Sequence, residues 1–323
     1  MNGLLVTGGD GMLGRAVRTL CPSAIAITRA DADLTDLNAT RRLFDRLRPT
    51  AVLHLAAMVG GVQANADRGA DLFAANLHIN TNVLAAAQAS GVQRLIGVLS
   101  SCAFPTYPDR ASVEDDLHTG MPFAGNLGYA MAKRMLDVHV RLLREQYGCR
   151  YSTVTPVTMY GPHDNFDPES GHVVGALIRK CYEAKRAGSP FQVWGTGQAI
   201  RQFVYAPDVA AWLLREVDRD QGPWTTILAP DEGVSIFDLA HLIARIMDYT
   251  GEPQFDHQKP EGVLVKRLRS RREAQTDAMP RFTGLEQGLR ATVQWFLARE
   301  ADSQVGSRGH AGSRRSERWS INA

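Results

Sequence analysis

Tyr129 and Lys133 stand four residues apart in the stretch Tyr129-Ala130-Met131-Ala132-Lys133. On a helix this spacing sets the phenol and the ammonium one above the other on one face. An ammonium beside a phenol favours the phenolate, so the Tyr129 pKa is expected to fall towards working pH. A tyrosine tuned in this way can give a proton to a carbonyl that is being reduced. The same spacing also occurs where an amphipathic helix merely exposes a lysine, so the pair takes its meaning from its surroundings.

The N-terminal stretch supplies those surroundings. Gly3-Leu4-Leu5-Val6-Thr7 is a short apolar run ended by glycines and reads as a buried strand. Gly8-Gly9-Asp10-Gly11-Met12-Leu13-Gly14 follows, then an amphipathic segment from Arg15 to Leu20. In a G-x-x-G-x-x-G run between strand and helix, Gly8 permits the tight turn and Gly11 lets backbone approach a pyrophosphate. Gly14 lets the helix pack on the strand, and Met12 belongs to the same cradle. A second strand, Ala24 to Ile27, ends in Thr28-Arg29. An arginine there suits a 2′-phosphate, which favours NADP(H) over NAD, with Asp33-Leu34 beside the adenine.

The intervening segments alternate in period. Asn38 to Leu47 is helical, Ala51 to Ala57 is a strand whose end (Leu55, Ala56, Ala57) lines the cofactor crevice, and Asn76 to Ala89 is helical. Leu95 to Leu99 is a strand that delivers Ser100-Ser101-Cys102. The Tyr129 helix runs to about Tyr147, and Cys149 to Val157 is the next strand. This β-α-β-α-β order predicts an α/β fold, a Rossmann-type doubly wound parallel sheet. Beyond residue 160 the pattern loosens. Helices are expected at Val173 to Ala187, from Pro207 to Val217, over Ser235 to Asp248 with Ser235 as N-cap, and at Glu286 to Arg299. Val193 to Gly197 reads as a turn, and Arg201 to Tyr205 and Ile227-Leu228 read as strands. The expected division is an NADP-binding unit over 1–160, its sheet completed by about 190–230, and a smaller α/β substrate unit over 161–300. A disordered basic tail over 301–323 carries Arg308, Arg314, Arg315 and Arg318.

Composition limits the function classes. The 323 residues are 44% hydrophobic and 22% charged with net charge +2, which gives no general bias towards nucleic acid or membrane. Cys21, Cys102, Cys149 and Cys181 form no C-x-x-C pair, so a metal site or disulfide framework is not expected, and a reducing compartment is. No apolar run approaches the ~20 residues of a membrane span, and the chain opens without a signal-peptide pattern, so a cytoplasmic location is expected.

The serine after strand four, the Tyr-x-x-x-Lys helix and the glycine loop together resemble the extended short-chain dehydrogenase/reductase family. The resemblance implies that Ser100 orients a carbonyl, Tyr129 transfers a proton and Lys133 holds the nicotinamide ribose. The runs from His54 to Gly61, Ser100 to Cys102, Tyr160 to Phe166 and Val193 to Gly197 are similar to the branch that epimerises and reduces GDP-4-keto-6-deoxymannose. That likeness covers about residues 3 to 298. It implies Cys102 and His172 as the acid–base pair of 3,5-epimerisation, with His172 also near the cofactor. It further implies Lys180, Trp194, Arg201 and Lys266 around a GDP-sugar, and a homodimer through the 76–89 and 129–147 helices. Two positions depart from the branch: Thr158 replaces an asparagine and Glu261 an aspartate. They leave open an NAD(P)-dependent epimerase or reductase acting on another GDP-4-keto sugar, a heptose or dideoxy sugar. An NADP-sensing protein without catalysis has no need of Ser100, Tyr129 and Lys133 together.

Overall fold

The computed structural model describes residues 3–61, 65, 67–219, 224–259, 261–271 and 280–308. β1 (Leu4–Thr7) leads through the glycine loop into α1 (Met12–Leu20) and returns as β2 (Ile25–Ile27). α2 (Leu37–Leu47) starts at Asp36, whose carboxylate accepts the N–H groups of Asn38 and Ala39, the bonds that a helix start otherwise lacks. β3 (Ala51–His54), α3 (Gly69–Ala89), β4 (Arg94–Val98), α4 (Leu127–Tyr147) and β5 (Arg150–Pro156) continue the alternation. There follow β6 (Thr158–Tyr160), α5 (Val173–Ala187), β7 (Gln192–Trp194), β8 (Ile200–Arg201), β9 (Phe203–Tyr205) and α6 (Ala206–Glu216). β10 (Thr225–Leu228), β11 (Val234–Ser235), α7 (Ile236–Ile246), β12 (Gln254–Asp256) and α8 (Leu285–Arg308) complete the order.

Among the described residues, six parallel strands form the central sheet in the order β10-β5-β4-β3-β1-β2. The chain leaves β1 for β2 on one side, then crosses to β3 on the other. The two directions part between Thr7 and His54, which are register partners at the C-terminal ends of β1 and β3. In a doubly wound sheet the crevice at that point receives the ligand. Among the described residues, three two-stranded pairs lie outside the sheet: β6 with β9, β8 with β11, and β7 with β12. The apolar side chains gather in two clusters. One surrounds the sheet and includes Phe44, Leu53, Leu136 and Trp212. The other joins α5, α7 and α8 around Phe191, Ile243 and Phe296.

Several elements differ from the sequence reading, the strands through partners distant in the chain. β3 ends at His54, because the N–H groups of Leu55 and Ala56 turn onto the Thr7 hydroxyl oxygen, each at 3.1 Å. Arg201–Tyr205 is two strands, not one. The buried Gln202 side chain bonds Leu268 N–H and the carbonyls of Leu268 and Pro230, so the backbone changes partner there, from β11 to β6. Gln192–Trp194 is a strand because β12 pairs with it, and the turn opens only at Gly195. Of the 190–230 stretch, β10 joins the sheet, whereas β7, β8 and β9 pair elsewhere. α3 begins at Gly69, seven residues ahead of Asn76, and α8 continues to Arg308, so the first part of the expected disordered tail is helical. Residues 309–323, with Arg314, Arg315 and Arg318, lie outside the described residues.

The glycines of the first loop do different work. Gly8 has φ +72°, and a Cβ there would lie 2.9 Å from the Ala56 nitrogen. A Cβ on Gly14 would strike the Gly8 carbonyl, whereas one on Gly11 would meet that same oxygen only at 3.4 Å and is otherwise open. Gly14→Ala is therefore expected to lower stability by roughly 1–3 kcal/mol through overpacking, and Gly11→Ala to leave it near wild type. Urea unfolding of both variants reads the difference, and equal midpoints would show that the loop gives way at no cost.

Candidate active site

The N-terminus of α1 has Gly11 as its cap residue, with no side-chain cap and no acid in the first turn. The N–H groups of that turn, Met12 among them, are thus left for an anion, and the helix dipole adds to the attraction. The open side of Gly11 admits a group that a side chain would exclude, so the loop fits a dinucleotide diphosphate. Arg29 stands at the β2 end with its side chain 74% exposed, 4.0 Å from Asp33. Asp33 is taken up locally: its carboxylate accepts the N–H and hydroxyl of Thr35, which hold its pKa below the usual range. Leu34 is buried beside it. Across the crevice, Leu55, Ala56 and Ala57 follow β3. The buried Asn76 clamps the next residue, bonding Met58 N–H and carbonyl, each at 2.9 Å.

Ser100, Cys102, Tyr129 and Lys133 converge at the ends of β4 and α4. The Ser100 oxygen accepts the Cys102 N–H at 3.2 Å, opening a single 3-10 turn over Ser101–Ala103. The Ser100 hydroxyl is near enough to the Tyr129 phenol to favour its ionised form slightly. Lys133 is 2% exposed and donates to the Val98 carbonyl at 2.7 Å, its ammonium 5.8 Å from the Tyr129 ring centre. Burial drops the Lys133 pKa to about 8. The expected lowering of Tyr129 is not realised. Burial, and then the Cys102 charge, push the phenol well above its ordinary value, against the smaller help of Ser100. Desolvation of the phenolate outweighs an ammonium already engaged by a carbonyl. Tyr129 consequently keeps its proton across the neutral range, as a donor must.

Lys266 donates to the Cys102 sulfur at 3.4 Å. Arg201 is close enough to feel the Cys102 and Glu261 charges, while burial lowers its own pKa. Lys180 lies over Trp194, 4.3 Å from the ring centre, and Lys259 approaches the same ring at 5.5 Å. Burial and then Lys259 lower the Lys180 pKa, the mark of two like charges held together. Glu261 clasps the intervening turn. Its carboxylate accepts the Thr196 hydroxyl at 2.8 Å and the Ala199 N–H at 3.3 Å. Burial opposes ionisation of Glu261, yet the Thr196 bonds bring its pKa below the usual range. His172 is the N-cap residue of α5, with Nδ1 3.1 Å from Asp164 Oδ1. The Asp164 bond outweighs burial and raises the His172 pKa.

A family model described as the NAD dependent epimerase/dehydratase family matches residues 4–225. GDP-L-fucose synthase of Dictyostelium discoideum is 34% identical over 304 residues, 91% of this chain and 95% of that protein. The chain belongs to the GDP-L-fucose synthase family. The crystal structure of a GDP-L-fucose synthetase from Naegleria fowleri bound to NADP is 35% identical with a TM-score of 0.86, over 93% of this chain and 94% of that one. A GDP-6-OMe-4-keto-L-xylo-heptose reductase from C. jejuni has a TM-score of 0.83 over 92% of this chain and 98% of that one. At 20% identity it shares the fold alone.

Within this fucose synthase frame, the sequence reading passed over a buried relay. The Thr7 hydroxyl bonds His54 Nδ1 at 2.9 Å, His54 Nε2 bonds Asn80 Oδ1 at 3.0 Å, and Asn80 donates to the Ala132 carbonyl at 3.2 Å, next to Lys133. A histidine inside an otherwise apolar strand was its signal. Asp164 carried none beyond lying in the run from Tyr160 to Phe166, and Lys259 carried none. Burial, and then the Lys133 charge, hold His54 down to about 3. Between pH 6.5 and about 3 the unfolded chain takes a proton here and the folded one does not. Stability is therefore expected to fall with pH in that window, with a His54 contribution of up to about 1.4 kcal/mol per pH unit. Urea unfolding from pH 7 to 4 should show a shallower slope for His54→Gln. Parallel slopes would discard His54 as the cause.

Proposed function

We propose that the chain converts GDP-4-keto-6-deoxy-D-mannose to GDP-L-fucose by 3,5-epimerisation followed by NADPH-dependent 4-reduction. The observation that carries it is that Cys102, two residues past Ser100 and bonded to it through its backbone N–H, has its sulfur bonded to the Lys266 ammonium. The NADP-bound relative and the open diphosphate cradle at Gly11 support the cofactor. Gly8, Gly11, Met12 and Gly14 would hold its diphosphate, Arg29 its 2′-phosphate and Lys133 its nicotinamide ribose.

The substrate ketone acidifies the protons at its flanking carbons 3 and 5. Cys102 removes them and His172, held towards its charged form by Asp164, returns a proton from the other face; between the two inversions Cys102 gives its proton to solvent and His172 takes one up. The Ser100 and Tyr129 hydroxyls face the oxygen on which the enolate charge develops, so one pair of donors serves both inversions. NADPH, when bound, supplies the hydride for carbon 4. Tyr129 gives the matching proton to the oxygen, and Lys133 restores the phenol's charge balance. Lys180, Trp194 and Arg201 take the nucleotide diphosphate. Lys266 acts at the cysteine.

The reading divides the chain into an NADP-binding part over 1–160 and a mainly substrate-binding part over 161–300. It includes a homodimer through α3 and α4. Met131, Met135, Val138 and Leu142 lie along one side of α4, none fully covered and Leu142 54% exposed. It also places the enzyme in the cytoplasm. Among the described residues no helix is long and apolar enough to cross a membrane.

Incubation with GDP-4-keto-6-deoxymannose and NADPH in deuterated water tests the reaction. Deuterium should enter carbons 3 and 5 of the product. NADPH oxidation without that exchange would remove the epimerase half of the reading. Cys102→Ser should slow exchange on the order of 100-fold or more while NADPH affinity, measured by fluorescence, stays unchanged.

A further inference from the structure

We infer that Asp164 is a positioning residue for His172: it fixes which imidazole nitrogen carries out proton transfer. The inference rests on the epimerisation proposed above. Asp164 is 6% exposed, and its Oδ1 meets His172 Nδ1 at 3.1 Å while accepting the Asn165 N–H at 2.8 Å. Its second oxygen, Oδ2, is buried without a hydrogen-bond partner. A buried carboxylate with one unbonded oxygen is costly unless a cation stands against it. His172 stands against it at 3.1 Å, and that bond favours the charged ring. Nδ1–H donates to Asp164, which leaves Nε2 as the nitrogen that exchanges protons.

The backbone between the two residues is built to hold this distance. Asp167 Oδ1 accepts the N–H groups of Glu169 and Ser170 and the Ser170 hydroxyl. Gly171 and Gly175 press so closely on the Asn165 carbonyl that a Cβ on either would strike it. His172 occupies the N-cap of α5 without using its side chain as a cap. At that end the helix dipole disfavours a positive charge. The raised His172 pKa therefore has to come from Asp164, and the charged neighbours are engaged elsewhere. Asp167 closes its own turn, Glu169 acts on Lys180, Arg179 pairs with Glu300, and Lys180 lies over Trp194.

The test begins with nitrogen-15 histidine NMR of the cofactor-free full chain, His172 being assigned with His172→Gln. The wild-type ring should titrate above free imidazole and, once neutral, carry its proton on Nδ1. Asp164→Asn should lower that titration and mix the tautomers. A wild-type ring that titrates at or below free imidazole, or is protonated on Nε2, would overturn the inference without any variant. In the deuterium-exchange assay Asp164→Asn should slow exchange by about 10- to 100-fold with NADPH affinity and thermal midpoint close to wild type. The alkaline limb of its pH–rate profile should move to lower pH, because the acid form of His172 is lost earlier. An unchanged limb, or parallel losses of cofactor binding and stability, would reduce Asp164 to a structural residue. If wild type shows the NMR signature yet no exchange, the function reading fails and the Asp164–His172 coupling stands.

Discussion

One ammonium buried at the end of the sheet organises the site. Lys133 is 2% exposed, and the bond that holds it is to the Val98 carbonyl, the last residue of β4. A charge so placed forces its surroundings to stay neutral or to supply dipoles. His54 remains uncharged through its own burial and then the Lys133 charge, and the Thr7–His54–Asn80 relay ends on the Ala132 carbonyl beside the lysine. Tyr129 keeps its proton in spite of that ammonium, because burying the phenolate costs more than the ammonium returns. The relay also ties β1, β3, α3 and α4 together at the point where the sheet's winding reverses. The residues that would meet the cofactor and those that would reduce a ketone thus share one rigid frame.

The second half of the chain reaches this frame through loops braced by carboxylates. Glu114 accepts the Ile227 and Arg271 N–H groups and the Ser270 hydroxyl, so the loop before α4 is tied to β10 and to the segment carrying Lys266. Ser112 exchanges backbone bonds with Arg267 and Arg269 on the same segment. Asp116 fixes the loop itself through a two-pronged bond to Arg110. The Glu114 and Ser112 contacts lie between residues more than a hundred positions apart, and they decide that an ammonium from residue 266 meets the sulfur of residue 102.

The doubly wound fold was legible because its determinants are local. Short apolar runs ended by glycine, and helices of clear period, made the β-α-β order visible from Leu4 to Pro156. α5 falls where its period predicted, and Ser235 caps α7 as expected. Beyond residue 156 the strands are two to four residues long and owe their existence to partners far along the chain. Val193–Gly197 looked like a turn and Arg201–Tyr205 like one strand for that reason.

The residue types alone determined that this chain holds a glycine cradle before a helix, a Tyr-x-x-x-Lys pair and a cysteine after a buried strand. Each is a matter of spacing within one or two elements. Electrostatics, by contrast, was left to the tertiary structure. Spacing argued for a lowered Tyr129 pKa, and burial reversed its sign, since solvation depends on every atom packed around a group and not on its neighbours in sequence. The same holds for Asp164. Its carboxylate acquires a purpose only because a glycine-lined loop folds His172 back onto it.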